Sequence, residues 1–414
     1  MEERKVRLAR RSRSNRFLLE MKTMNVAIFA SAFYPHVGGV EELVRQLAHT
    51  YQARGVSPII ITNRWPRSLP SYEQYEGIPT YRLALRTPEP SLKSKVSYTL
   101  THGSVRRSVL DVLRTHRIDV MHVQCVSCNG YYALLAKRET GLPLVVTAQG
   151  ERTMDATGLY QRSKFMNDVL RALLKEADRI TACSRATLLD LEQYFGAPFG
   201  ERARVVLNGI SLDDFDGVDP YQHPRPYVLG IGRMVRQKGF DVLIKAFAEA
   251  GADLAGHDLL LAGEGAERAG LEQLAASLGL GTRVQFLGRA DRRLAVRLFK
   301  GCAWFVLPSR HEPLGIVNLE AMAAGKAVIA SDTGGVPEVV ADGETGILVP
   351  TEDPSALSKA MCDLAADPKR LKGLGTAGAA RVREFTWAAI ADQYLDLYRQ
   401  ASARGPVATI GATN

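Results

Sequence analysis

Short apolar runs alternate with longer amphipathic stretches along most of the chain. The runs Val26–Ala30, Ile59–Thr62, Val120–Val123, Leu144–Ala148 and Arg179–Cys183 are strand-sized and rich in β-branched and aliphatic residues. Between them, 40–53, 104–116 and 163–176 carry apolar residues at helical spacing. Strands that are apolar throughout, separated by helices, predict a parallel sheet covered on both faces. The alternation pauses between Asn208 and Pro226, where Asp213, Asp214, Asp216, Asp219, Pro220, Pro224 and Pro226 read as a linker. A second series follows at Tyr227–Gly232, Asp258–Ala262, Val284–Leu287, Trp304–Leu307, Ala327–Ala330 and Gly346–Val349, and 354–401 is helical in pattern. The fold class is therefore α/β, with two doubly wound domains. Such sheets bind ligands beyond the carboxyl ends of their strands, and a pair of them faces an interdomain cleft.

Composition narrows the picture only slightly. No apolar run approaches the roughly 18 residues that span a bilayer. Five scattered cysteines among 414 residues fit a reducing, cytoplasmic setting better than a disulfide scaffold. The net charge is +9, but residues 1–24 hold eight Lys/Arg and three Glu, so over half of the excess sits in that tail. The body is mildly basic, and no nucleic-acid partner is expected. The tail reads first as a solvated segment, with peripheral contact to an anionic membrane surface as the alternative.

Three segments carry candidate chemistry. In Pro308–Gly325, a strand ends near Leu307 and a helix opens near Pro313 to Gly315. The amides of Gly315, Ile316 and Val317 would face an anion at the positive end of that helix. Glu312 above the strand and Glu320 eight residues later can flank a polyhydroxylated ligand, each accepting hydrogen bonds from hydroxyls. In Gly230–Phe240, Arg233 offers a phosphate-gripping fork and Lys238 a point charge. Neither Gly230-Ile231-Gly232 nor Gly263-Glu264-Gly265 completes a dinucleotide fingerprint. In Tyr34–Glu41, Gly38 and Gly39 let backbone amides face a cleft. Asp214-Phe215-Asp216 has the spacing of a metal-binding Asp-x-Asp, but its place in the linker reads as a solvated turn. Cys125-Val126-Ser127-Cys128 is a lone pair without the other ligands of a structural zinc site. No metal is expected.

In this order the motifs resemble the retaining glycosyltransferases of family 4, which have the GT-B fold of two Rossmann-like domains. The resemblance runs from Asn25 to about Arg399. It includes Gly38-Gly39, Asn208-Gly209-Ile210, Gly232-Arg233 with Lys238-Gly239, Ala262-Gly263-Glu264-Gly265, the Glu312-x7-Glu320 pair and Ser331–Glu338. It implies a basic tail (1–24), an acceptor-binding domain (25–210), a linker (211–226) and a nucleotide-sugar-binding domain (227–385). A helix over 386–401 would cross back to the first domain, and 402–414 would be a flexible tail. It implies that Arg233 and Lys238 hold the donor's diphosphate and that Glu320 holds its ribose. Glu312, with the backbone of Leu314, Gly315 and Ile316, would hold sugar and phosphate. Gly38, Gly39, Gly232, Gly263 and Val317 would complete the donor site. Many relatives carry His-Gly where this chain has Gln149-Gly150; an amide can bind a sugar hydroxyl but cannot move a proton near neutral pH.

The resemblance implies transfer of a hexosyl group from a UDP- or GDP-linked sugar to an acceptor hydroxyl, with retained configuration. Glu312, Arg233 and Lys238 are the expected catalytic residues. No cofactor is expected beyond the donor itself. The departing phosphate would take the acceptor's proton on the same face, so no dedicated base is needed. Acceptor contacts are expected from Gln149, Gly150, Glu151, Asn129 and Arg152, and the acceptor is a small molecule or a lipid-linked sugar. The alternatives are a nucleotide-sugar epimerase or phosphorylase of the same architecture, and an inactive nucleotide-sugar-binding protein.

Overall fold

The computed structural model describes residues 24–36, 38–88, 92–152 and 159–403. The basic tail up to residue 23 and the end of the chain from residue 404 lie outside them. The first eight strands are β1 (Asn25–Ala30), β2 (Ser57–Asn63), β3 (Tyr72–Tyr75), β4 (Ile78–Leu83), β5 (Val120–Gln124), β6 (Leu144–Ala148), β7 (Arg179–Ala182) and β8 (Ala203–Val205). They form one sheet in the order β3-β4-β2-β1-β5-β6-β7-β8. β1 pairs in parallel with β2 and β5, and β3 runs antiparallel on β4 at the edge.

The remaining strands are β9 (Tyr227–Ile231), β10 (Asp258–Ala262), β11 (Val284–Gly288), β12 (Trp304–Leu307), β13 (Val328–Ser331) and β14 (Gly346–Val349). Their order is β11-β10-β9-β12-β13-β14, parallel throughout. This is the doubly wound α/β architecture that the alternation predicts. Each face of the second sheet has its own core. Leu259 and Leu261 of β10 join Trp304, Val306 and Ile329 on one side, while Leu260 and Ala262 join Phe305, Leu307 and Val328 on the other. Burial on both faces explains why the inner strands β9, β10 and β12 read as nearly unbroken apolar runs.

Contacts divide the chain into two units: 1–145 with 176–178 and 398–414, and 146–175 with 179–397. In the first, His122 of β5 is fully buried, its Nδ1 2.5 Å from the hydroxyl of Tyr398, which in turn meets the Tyr51 hydroxyl at 2.7 Å. Burial pushes the His122 pKa down to about 3, so the ring is neutral. Among the described residues, no helix is long and apolar enough to cross a membrane.

The 211–226 stretch expected as a linker is fastened to the second unit. Phe215 is buried, Lys300 Nζ donates to its carbonyl at 2.9 Å, and the Tyr221 amide donates to the Arg297 carbonyl at 2.8 Å.

Candidate donor site

In the second sheet the strand order reverses between β9 and β12, the position where doubly wound sheets open a ligand crevice. Two of the candidate segments follow these strands: 232–238 leaves β9 and 308–315 leaves β12. Their backbones are joined, since the Arg310 amide donates to the Gln237 carbonyl at 2.8 Å. Gly239 permits this approach. It has φ +65°, and a Cβ there would stand 2.0 Å from the Pro308 carbonyl oxygen. Arg310 adds a fork to Asp241 at 2.8 and 2.9 Å, a bond to the Arg236 carbonyl, and a bond to Glu352. Its guanidinium, hydrogen-bonded to the Asp241 carboxylate, holds that group below the usual carboxylate range although burial acts against it.

Lys238 and Glu312 meet at the centre of this junction. Lys238 Nζ lies 2.5 Å from Glu312 Oε2, and the side chains are 13% and 7% exposed. Ser309 Oγ donates to the same oxygen at 3.1 Å. Arg233 is exposed, and none of the ion pairs among the described residues involves it. Gly232 and Gly263 lie at the ends of β9 and β10, where the Gly232 amide donates to the Ala262 carbonyl at 3.0 Å.

The helix after β12 spans Ile316–Ala323, capped by Gly315 at φ +85°. A Cβ on Gly315 would come 2.7 Å from Asn318 Nδ2 and 3.4 Å from Glu312 Cγ, so glycine keeps this helix start narrow. No side chain caps it, and among the described residues the amides of Gly315, Ile316 and Val317 have no backbone acceptor. Leu314 packs into the core beneath. The helix therefore presents its positive end beside the Lys238–Glu312 pair. In its second turn, Glu320 is 15% exposed and bonded to Arg292 Nη1. Arg292 Nε donates to Asp214 Oδ2 at 2.9 Å. Asp214 is thus engaged by an arginine, a correction to its reading as a solvated turn. Sequence reasoning missed Arg292 altogether: its partners lie 78 and 28 residues away.

The expected acceptor residues divide. Gln149 and Asn208 exchange amide hydrogen bonds at 2.9 and 3.3 Å, which gives the Asn-Gly-Ile motif a partner that the linker reading lacked. Gly150 sits beside them at φ +84°. Glu151 accepts from the Gln149 amide at 2.7 Å, and Arg152 forks onto Asp190 at 2.9 and 3.2 Å while covering the Tyr194 ring. These two charges are committed locally. Asn129 belongs to the first unit and is fully buried. Its amide donates to the Phe29 carbonyl at 2.8 Å and accepts from the Ser127 amide at 2.8 Å, so it shapes the turn after β5 and presents nothing to a ligand. Gly38 and Gly39 also belong to the first unit, where they open the helix Gly39–Ala53 after β1. A Cβ on Gly39 would meet nothing within 4 Å.

Comparison with known proteins agrees with this architecture. Residues 37–214 match the family model described as Glycosyltransferase Family 4, and 217–381 match Glycosyl transferases group 1. The α-maltose-1-phosphate synthase of Mycolicibacterium smegmatis is 33% identical over 359 residues, covering 79% of this chain and 90% of that protein. The chain belongs to glycosyltransferase family 4. A second relative, the D-inositol 3-phosphate glycosyltransferase of Segniliparus rotundus, is 28% identical over 400 residues, 91% of this chain and 87% of its own. Among solved structures, the sucrose-phosphate synthase of Thermosynechococcus elongatus superposes with a TM-score of 0.76 at 26% identity, covering 92% of this chain and 99% of its own. The fold of this family-4 chain is GT-B, and its activity is that of a group 1 glycosyltransferase.

Proposed function

We propose that this family-4 enzyme moves a hexosyl group from a UDP- or GDP-linked sugar to an acceptor hydroxyl, with retention and without a metal. The observation that carries the reading is the Lys238–Glu312 pair set against the uncapped start of the Ile316 helix. When the sugar leaves, negative charge grows on the diphosphate. Lys238, Arg233 and the amides of Gly315, Ile316 and Val317 stabilise that charge most where it is greatest, which lowers the barrier. The diphosphate competes with Glu312 for the Lys238 ammonium. Glu312, released, turns to the donor's sugar hydroxyls. Glu320 takes the ribose, and Gly232 and Gly263 let the backbone pass close to the nucleotide. The leaving phosphate oxygen accepts the acceptor's proton on the same face, which requires no further base from the chain. Gln149, held by Asn208, faces the acceptor as a hydrogen-bonding group.

The acceptor in this reading is a small phosphorylated sugar or polyol. The two relatives and the structural neighbour are each named for a phosphorylated sugar or polyol. The test incubates the enzyme with UDP-, GDP-, ADP- and dTDP-sugars, alone and with hexose or inositol phosphates or their dephosphorylated forms. Transfer from a uridine or guanosine donor to a phosphorylated acceptor is expected, in undiminished yield after chelation, with the donor's anomeric configuration preserved by NMR. Arg233→Ala and Lys238→Ala should each lower turnover at least about tenfold with the fold intact. Near-normal turnover in both, or an inverted product, would overturn the mechanism.

A further inference from the structure

The loop between β11 and the next helix ends in Arg289-Ala290-Asp291, directly before Arg292. Asp291 caps the helix Arg292–Gly301 by accepting from the Leu294 amide at 2.8 Å, which fixes Arg292 as the first helical residue. From there the guanidinium reaches two carboxylates on separate parts of the chain. Its Nε donates to Asp214 at 2.9 Å and its Nη1 to Glu320, while its Cζ lies 5.6 Å from the Phe215 ring centroid. Asp214 stands in a short helical turn, Asp213–Phe215, anchored by the buried Phe215 ring and by Lys300 on the Phe215 carbonyl. The arginine, 37% exposed, is therefore tied to two carboxylates and lies beside an aromatic ring. Glu320 is mostly buried, and the Arg292 guanidinium is its paired cation.

We propose that Arg292, braced by Asp214, is the positioning residue of the nucleotide's ribose subsite, and that the enzyme's preference for ribonucleotides runs through this triad. The inference rests on the reading of Glu320 as the ribose ligand. Arg292 touches neither the reacting atoms nor the sugar being moved. It sets the angle at which the Glu320 carboxylate is offered to the ribose hydroxyls. The Asp-Phe-Asp sequence then has a use unrelated to a metal: its first aspartate aims the arginine that aims the glutamate.

The experiment measures, by calorimetry, binding of UDP and GDP and of their 2′-deoxy forms to the full chain and to Arg292→Gln, Asp214→Asn, the double variant and Glu320→Ala. Steady-state kinetics use whichever donor the enzyme accepts. Arg292→Gln should weaken the ribonucleotide about tenfold, and the deoxynucleotide less than about threefold, because one charge-assisted contact loses its aim. Donor KM should rise while kcat changes less than about threefold. Asp214→Asn should move binding in the same direction by less, and the double variant should be no worse than Arg292→Gln, because the two act in series. Equal weakening of both nucleotides by Arg292→Gln, or additive losses with Asp214→Asn, would overturn the proposal. The Glu320→Ala control separates the two layers. If it abolishes the ribose preference while Arg292→Gln retains it, only the positioning role fails. If Glu320→Ala itself retains the preference, the ribose reading fails and the triad's role with it.

Discussion

Replacing Lys238 by methionine removes an ammonium while keeping most of the side chain's length, so it isolates the charge of the Lys238–Glu312 pair. In the unliganded protein, Glu312 would be left 7% exposed with Ser309 Oγ at 3.1 Å as its side-chain partner. Removing one member of a buried ion pair costs about 3–5 kcal/mol. Ser309 and the positive end of the Ile316 helix offset part of that, leaving about 2–3 kcal/mol. For a unit of this size, each kcal/mol lowers the melting temperature by about 2–4 °C, so Lys238→Met should melt about 4–12 °C lower. The double variant Lys238→Met/Glu312→Gln replaces the stranded carboxylate by a neutral amide and should recover at least about half of the loss. Glu312→Gln alone releases Lys238. It should bind a nucleoside diphosphate at least as tightly as the parent while turning over more slowly, because the ammonium no longer has to leave a carboxylate. Calorimetry and nucleotide titration of the four proteins complete the cycle. An unchanged melting temperature in Lys238→Met, or losses in the double variant equal to the sum of the singles, would show that the two groups do not sense each other and would refute the reasoning.

Gly239→Ala introduces a Cβ at φ +65° that would lie 2.0 Å from the Pro308 carbonyl oxygen, so it should destabilise by about 2 kcal/mol or more. Turnover should fall further than melting, since the loop that is displaced carries Glu312; parental turnover would rule the close approach out as a requirement. Asn208→Ala strips Gln149 of its reciprocal amide partner and should cost about 1–2 kcal/mol by urea denaturation. His122 gives a pH dependence. Its folded-state pKa, near 3, lies below the unfolded value, so the unfolded chain binds the extra proton and the stability it contributes is full above about pH 6.5 and lost as pH falls. The loss should reach about 1.4 kcal/mol per pH unit, and His122→Asn should flatten the stability profile between pH 6.5 and 5; a variant with the parent's slope would show that another group titrates there.

Central strands were legible because burial on both faces leaves them largely apolar, as in β5, β6 and β10, where each residue is buried and only His122, Gln124, Thr147 and Asp258 are polar. The edge of the first sheet was not. β3 reads Tyr-Glu-Gln-Tyr, half exposed, and β8 is three residues with an outward Arg204, so neither carries an apolar run. The helix Leu92–Thr115 begins a dozen residues before its periodic stretch because Val96 and Leu100 point outward and add nothing to a buried face.

The site divides along a different line. Gly315, Glu312 and Glu320 were visible because their relation is local: a strand end, a turn and a helix fix it within thirteen residues. Lys238 with Glu312, and Arg292 with Asp214, are pairs 74 and 78 residues apart. Composition offers no sign of which cation meets which carboxylate. What joins the first pair is the strand order, because β9 and β12 become neighbours only where the winding of the second sheet reverses. Polar loop residues pose the opposite difficulty. Asn129, Glu151 and Arg152 have the chemistry of ligand-binding groups, yet the turn after β5, the Gln149 amide and Asp190 consume them. A polar side chain in a loop is as readily used to hold its own backbone as to meet a ligand. The difference lies in which backbone donors the fold leaves without partners. The start of the Ile316 helix, beside a paired lysine and glutamate, is such a place, whereas the turn that holds Asn129 is already satisfied.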